Sequence, residues 1–205
     1  MMKYKSFKEI GSFLAGFRDS SLKMRFTRRG FLKMGALTTM GLMSHAADAL
    51  AMVRPAEDSD RSLSFYNLHT EESLQKTYFY KDRYVPKTLQ EIDYILRDFR
   101  AKEVHPIDVK LLDLLFDIKR RLGAKEPFLV ISGYRSPATN EYLREHSRGV
   151  AAGSLHMFGK AIDIRLPSVS LETLHKTAVS LRLGGVGYYP SSDFVHVDVG
   201  NVRYW

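Results

Sequence analysis

The chain has 205 residues and no cysteine, so it can form no disulfide, and any metal must be held by nitrogen and oxygen ligands. Its formal charge of +8 invites a nucleic-acid reading, but nine of the 31 Lys and Arg and two of the 23 Asp and Glu lie in residues 1–33. The remainder is close to neutral, which removes the electrostatic case for nucleic-acid binding.

In chain order, the basic excess belongs to a leader. Thr27-Arg28-Arg29-Gly30-Phe31-Leu32-Lys33 precedes a weakly apolar, glycine-containing stretch, and A-x-A patterns follow at Ala47–Ala49 and Ala49–Ala51. This resembles a bacterial twin-arginine export signal over 1–51, cleaved near 49–51, with Met24 as an alternative start. The apolar stretch is shorter than the roughly 20 residues of a membrane-spanning helix. No membrane span is therefore expected after processing. A polar linker follows at 52–61, and a single domain is expected over 62–205.

That domain opens with two alternating segments, 62–70 and 73–80, read as a β-hairpin. Pro86 opens a helix, with Thr88 and Glu91 spaced as a capping box and Leu89, Ile92, Ile95, Leu96 and Phe99 on one face. A second helix is expected over 108–122, ended by Gly123 and carrying Lys119-Arg120-Arg121 in its last turn, where cations favour the helix dipole. PFLVIS (127–132) reads as a buried strand, SGYRSP (132–137) as a loop, and 138–146 as a helix. After the irregular 147–155, KAIDIRL (160–166) alternates, placing Asp163 on the face opposite Ile162, Ile164 and Leu166. A helix capped by Ser170 spans about 171–183. GVGYYP (185–190) and FVHVDVG (194–200) form an antiparallel hairpin, with His196 and Asp198 on one face of its second strand.

The chemistry gathers around SLHMFGKAID (154–163). His156 and Asp163, seven residues apart with Gly159 between them, can converge with His196 on a neighbouring strand. Two imidazoles and a carboxylate are the usual three-ligand set of a catalytic zinc, with the fourth position left to water. His45, His69, His105, His146 and His175 have no such partners in the sequence and are given no role.

Three blocks occur in order: SGYRSP (132–137), the Ser154-to-Asp163 block, and FVHVD (194–198). Together they resemble the zinc D-alanyl-D-alanine carboxypeptidase-like peptidases, the peptidase M15 superfamily. Within it the chain is similar to a subgroup of exported murein endopeptidases with twin-arginine signals, in which SGYRS, the H…D block, GGVGYYP and FVH follow one another. The resemblance covers about 62–205. It implies an α+β fold with a small antiparallel sheet carrying the site, and one Zn2+ per chain on His156, Asp163 and His196. It also implies Arg135 facing an oxyanion or substrate carboxylate and Ser154 holding substrate or loop.

Related carboxypeptidases place a glutamate three residues before the last ligand, a position held here by Asp193. Asp193 is the expected general base. Asp198 is its rival, or else a carboxylate that orients an imidazole. The expected activity is hydrolysis of peptidoglycan cross-links in the periplasm after export by the twin-arginine machinery. The alternatives are a D,D- or L,D-carboxypeptidase and a non-catalytic, zinc-stabilised peptidoglycan-binding module.

Overall fold

A computed structural model describes residues 60–147 and 150–205. The expected export signal and nearly all of the linker lie outside the described residues.

Eight strands form one sheet in the order β3-β2-β1-β4-β5-β7-β6-β8. They are β1 (Arg61–Asn67), β2 (Ser73–Tyr80), β3 (Arg83–Tyr84), β4 (Phe128–Ser132), β5 (Ala161–Arg165), β6 (Gly185–Tyr189), β7 (Phe194–Asp198) and β8 (Arg203–Tyr204). The helices are α1 (Pro86–Ile95), α2 (Val109–Leu122), α3 (Pro137–His146) and α4 (Leu171–Leu181). The α+β class expected from the sequence is the one that forms. The sheet, however, is larger than expected and mixed. β1 runs parallel to β4 and β6 parallel to β8, while the other neighbours are antiparallel.

Local chemistry explains several helix ends. Asp108 accepts the Lys110 N–H at the start of α2, Ser136 accepts that of Thr139 in α3, and Ser170 accepts that of Thr173 in α4. Gly123 closes α2 in the left-handed conformation at φ 61°. The capping box expected at Thr88 does not form. Pro86 takes the first helical position, where its missing N–H leaves no bond unmade, and Val85 is the N-cap. Thr88 is therefore buried inside the first turn, and Glu91 pairs with Lys76 at 2.9 Å.

The alternating strands divide the sheet into two faces. Ile162 and Ile164 of β5, Val195 and Val197 of β7 and Val186 of β6 join Leu111, Leu115 and Ile118 of α2 and Leu174 of α4 in one core. Burying these side chains is the main stabilising term, about 1.5–3 kcal/mol for each large aliphatic. The opposite face of β5 and β7 carries Asp163 and His196 as a directly opposed pair. Because β5 is central, this face is covered too, and Ala161 and Asp163 are both buried. Among the described residues no helix is long and apolar enough to cross a membrane.

Candidate metal centre

His156, Asp163 and His196 come together from three places in the chain, with one ligand atom of each within 4.8 Å of the others. His156 lies on a 3-10 turn, Leu155–Phe158, ended by Gly159 at φ 61°. A side chain at Gly159 would meet that backbone strain and run into the Pro106 carbonyl oxygen. The close approach ties the turn to the start of α2, where the Asp108 N–H donates to the Gly159 carbonyl at 2.9 Å. Asp163 and His196 are fixed more simply, as cross-strand neighbours on β5 and β7.

Each imidazole is oriented through its far nitrogen. His156 Nδ1 lies 2.7 Å from the Gly133 carbonyl oxygen. A carbonyl can only accept, so Nδ1 carries the proton and Nε2 presents its lone pair. His196 Nε2 lies 3.1 Å from Asp198 Oδ2, which turns Nδ1 inward. The inward atoms are His156 Nε2, His196 Nδ1 and Asp163 Oδ1. Their separations are 3.2 Å between the nitrogens and 3.3 and 2.8 Å from the oxygen to His156 and His196. Ligands at ~2.0–2.1 Å around a tetrahedral ion stand about 3.3 Å apart, so the set fits a zinc-sized cation.

Electrostatics point the same way, because three acceptors facing one another need a positive charge between them. Burial disfavours the Asp163 carboxylate, yet the two imidazoles hold its pKa well below the usual carboxylate range. Burial likewise disfavours the His196 imidazolium, but hydrogen bonds to Asp163 and Asp198 push its pKa up to about 9.

Asp198 is fully buried and its oxygens are saturated. Oδ1 accepts from Gly185 N at 3.1 Å and Gly200 N at 2.8 Å, and Oδ2 accepts from His196 Nε2 at 3.1 Å and an Arg203 terminal nitrogen at 2.8 Å. Burial would raise its pKa, but the bonds from His196, Gly200 and Gly185 bring it to about 2. This is the environment of a fixed anion.

Asp193 is not one of the three converging residues. It follows the 3-10 turn Pro190–Ser192 in the left-handed conformation, is half exposed, and lies 2.9 Å from Arg165 Nε. Another nitrogen of Arg165 bonds the carbonyls of Leu166 and Val169, so the ion pair is drawn towards the end of β5.

Arg135 is at the cluster. A terminal nitrogen lies 3.6 Å from Asp163 Oδ2 and 3.1 Å from Ser132 Oγ, and the side chain is 12% exposed. Its Nε is buried without a hydrogen-bond partner among the described residues. The Arg135 N–H donates to the His156 carbonyl at 3.2 Å, so loop and turn are built as one piece. Ser154 is buried, and its carbonyl accepts from the Met157 N–H at the head of the turn.

The remaining described histidines have their own surroundings. His69 bonds the Ile131 carbonyl and stacks on Phe99, His105 stacks on Tyr134, and His146 stacks on Tyr142. His175 lies against Tyr188. Sequence reasoning missed the Gly133 carbonyl, which has no side-chain signature. It also missed β8, a two-residue strand too short to show a period.

Comparison with known proteins places these residues in a family. The model of the peptidase family described as peptidoglycan L,D-endopeptidase MepK matches residues 55–205. The chain is 40% identical over 185 residues to the peptidoglycan L,D-endopeptidase MepK of Escherichia coli strain K12, covering 89% of this chain and 99% of the relative. It is 41% identical over 179 residues to the probable peptidoglycan L,D-endopeptidase MepK of Haemophilus influenzae, covering 87% of this chain and 95% of the relative.

Proposed function

This chain belongs to the MepK family of the peptidase M15 superfamily, and from that membership we propose that it hydrolyses amide bonds in the peptide cross-links of peptidoglycan, with one zinc ion held by His156, Asp163 and His196. The observation that carries the reading is the convergence of His156 Nε2, His196 Nδ1 and Asp163 Oδ1, with both imidazoles anchored at their other nitrogens. A zinc ion bound there supplies Lewis-acid chemistry, lowering the pKa of its water to ~7 and polarising the scissile carbonyl.

The protein's own groups do the rest. Gly133 and Asp198 keep the imidazoles in the ligating tautomer. Arg135 keeps a positive charge beside Asp163, and its buried Nε has a donor to give to the oxyanion or to a substrate carboxylate. Ser154 supports the turn that carries His156. We assign Asp198 to orienting His196, because a saturated anion has no lone pair to offer a water proton. We assign Asp193 to bracing the turn before β7 through Arg165, in place of the base role expected from its spacing.

Replacing Arg135 by alanine lowers kcat/KM about 10²–10³-fold, in the range of a lost oxyanion donor, with metal content unchanged. Lysine at that position restores little, because a point charge does not reproduce the planar donor set. Metal analysis alongside the kinetics checks both.

The function itself is tested by digesting purified cross-linked sacculi and separating the fragments, with and without a chelator. Loss of cross-linked dimers in favour of monomers, stopped by the chelator and restored by zinc, is the expected result. Trimming of stem peptides with the cross-links intact would favour the carboxypeptidase reading. Binding without new fragments would favour the non-catalytic module.

The substrate lies outside the cytoplasmic membrane, and the Arg28-Arg29 leader supports delivery to the periplasm by the twin-arginine machinery. On this reading residues 1–51 are the signal, 52–61 the linker and 62–205 the peptidase domain.

A further inference from the structure

The row of residues that carries the ligands runs on across the sheet. Asp163 opposes His196, and His196 opposes Gly187. The parallel register of β6 and β8 sets Gly185 against Arg203 and Val186 against Tyr204, which brings Trp205 beside Gly187. Its backbone is fixed there: Trp205 N donates to the Val186 carbonyl at 3.2 Å, and Tyr188 N donates to the Trp205 carbonyl at 2.9 Å.

The indole then lies across β6 to within 5.4 Å of the His196 ring, centroid to centroid. Gly187 permits this, since a Cβ there would stand 2.7 Å from Trp205 Cε2. Trp205 Nε1–H donates to Tyr189 Oη at 2.7 Å. On another side lies the Arg203 guanidinium, 5.1 Å from the ring centre and bonded to the same Asp198 that orients His196. The ring is thus tethered to the scaffold of the metal centre, yet 48% of the residue remains exposed. Packing alone does not call for a large aromatic side chain fixed in place and left half open beside a polar cluster.

We propose that Trp205 is a substrate-positioning residue, whose open indole face receives the aliphatic part of the peptide residue next to the scissile amide. This rests on the peptidase function proposed above. The partner is peptide rather than sugar because of reach. The ring is 5.4 Å from a ligand histidine, within about two residues of extended chain, whereas the glycan lies further along the stem peptide.

Trp205 is the one tryptophan in the chain, so its emission reports on this spot alone. The probe is soluble cross-linked muropeptide dimer released from sacculi by a muramidase, added to the zinc-loaded full chain. The expected result is a saturable change in tryptophan emission, half-complete near KM. Trp205→Ala should raise KM about tenfold with kcat within about threefold, and Trp205→Phe, which keeps an aromatic face, should recover most of that loss.

Cleavage of dimers with no emission change, or an unchanged KM in Trp205→Ala, overturns the proposal. If Trp205→Ala folds poorly, Gly187→Ala carries the test: it keeps the indole but displaces it, and a KM equal to the parent's overturns the proposal equally. An emission change without any cleavage overturns the peptidase function and with it the positioning role, leaving Trp205 only in contact with bound peptide. Absence of both overturns both.

Discussion

His156→Ala protein should contain less than a tenth of a metal equivalent per chain and release no fragments from sacculi, a loss of at least about 10³-fold in turnover. The reason is geometric. His156 is buried, its Nδ1 is tied to the Gly133 carbonyl, and its Nε2 is one of three atoms facing a common point. Alanine removes one of the three ligands and leaves Asp163 and His196 unable to close a tetrahedral site. A second readout separates this loss from misfolding. Zinc at 100 times its Kd stabilises a folded protein by about 2.7 kcal/mol. Added zinc should therefore raise the melting temperature of the parent chain and leave that of the variant unmoved. A variant that binds stoichiometric zinc and still cleaves would remove His156 from the site.

The second large effect is expected at Asp198, a residue that bonds a proposed ligand without being one. Asp198→Asn can keep an oxygen towards the N–H groups of Gly185 and Gly200, but it then presents an amide NH2 to His196 Nε2. A donor at that place drives the imidazole proton to Nδ1, the atom that must be bare to bind a metal. Metal affinity should fall by about 100-fold and turnover at least as much. Asp198→Ala should add a stability loss of roughly 3 kcal/mol, because backbone N–H groups and Arg203 lose a buried acceptor. Zinc competition with a chromophoric chelator measures the first effect, and thermal melts of the metal-free proteins measure the second.

Asp193→Asn is the control. Asp193 is half exposed, and Arg165 keeps its bonds to the carbonyls of Leu166 and Val169 without it, so metal content should be unchanged and turnover should stay within about threefold. A loss beyond about 100-fold with metal retained would return Asp193 to the role of base.

The two aspartates show where sequence reading stops. Spacing relative to His196 put both near the site, and strand alternation put Asp198 on the same side as the histidine. Neither could reveal that Asp198 is ringed by donors from Gly185, Gly200 and Arg203, since those contacts depend on β6 pairing with β7 and β8 pairing with β6. Nor could spacing reveal that Arg165 holds Asp193. At Thr88 the sequence carried a correct local rule that a stronger one displaced. Pro86 sets the N-cap three residues earlier, at Val85, and the cap at Thr88 is lost.

Local pattern by itself determined the four helices, the two hairpins, the position of Asp163 opposite the core face of β5, and the three residues that come together, His156, Asp163 and His196. All of these follow from periods of 2 and 3.6, from caps, and from short blocks in a fixed order. Tertiary structure decided which way each imidazole faces, which carboxylate is a fixed anion, and how Trp205 crosses Gly187 to reach His196. The division has a physical cause. A side chain's face is set by its own backbone, whereas the tautomer and partners of His156 are set by atoms brought from 23 and 40 residues away, on Gly133 and His196.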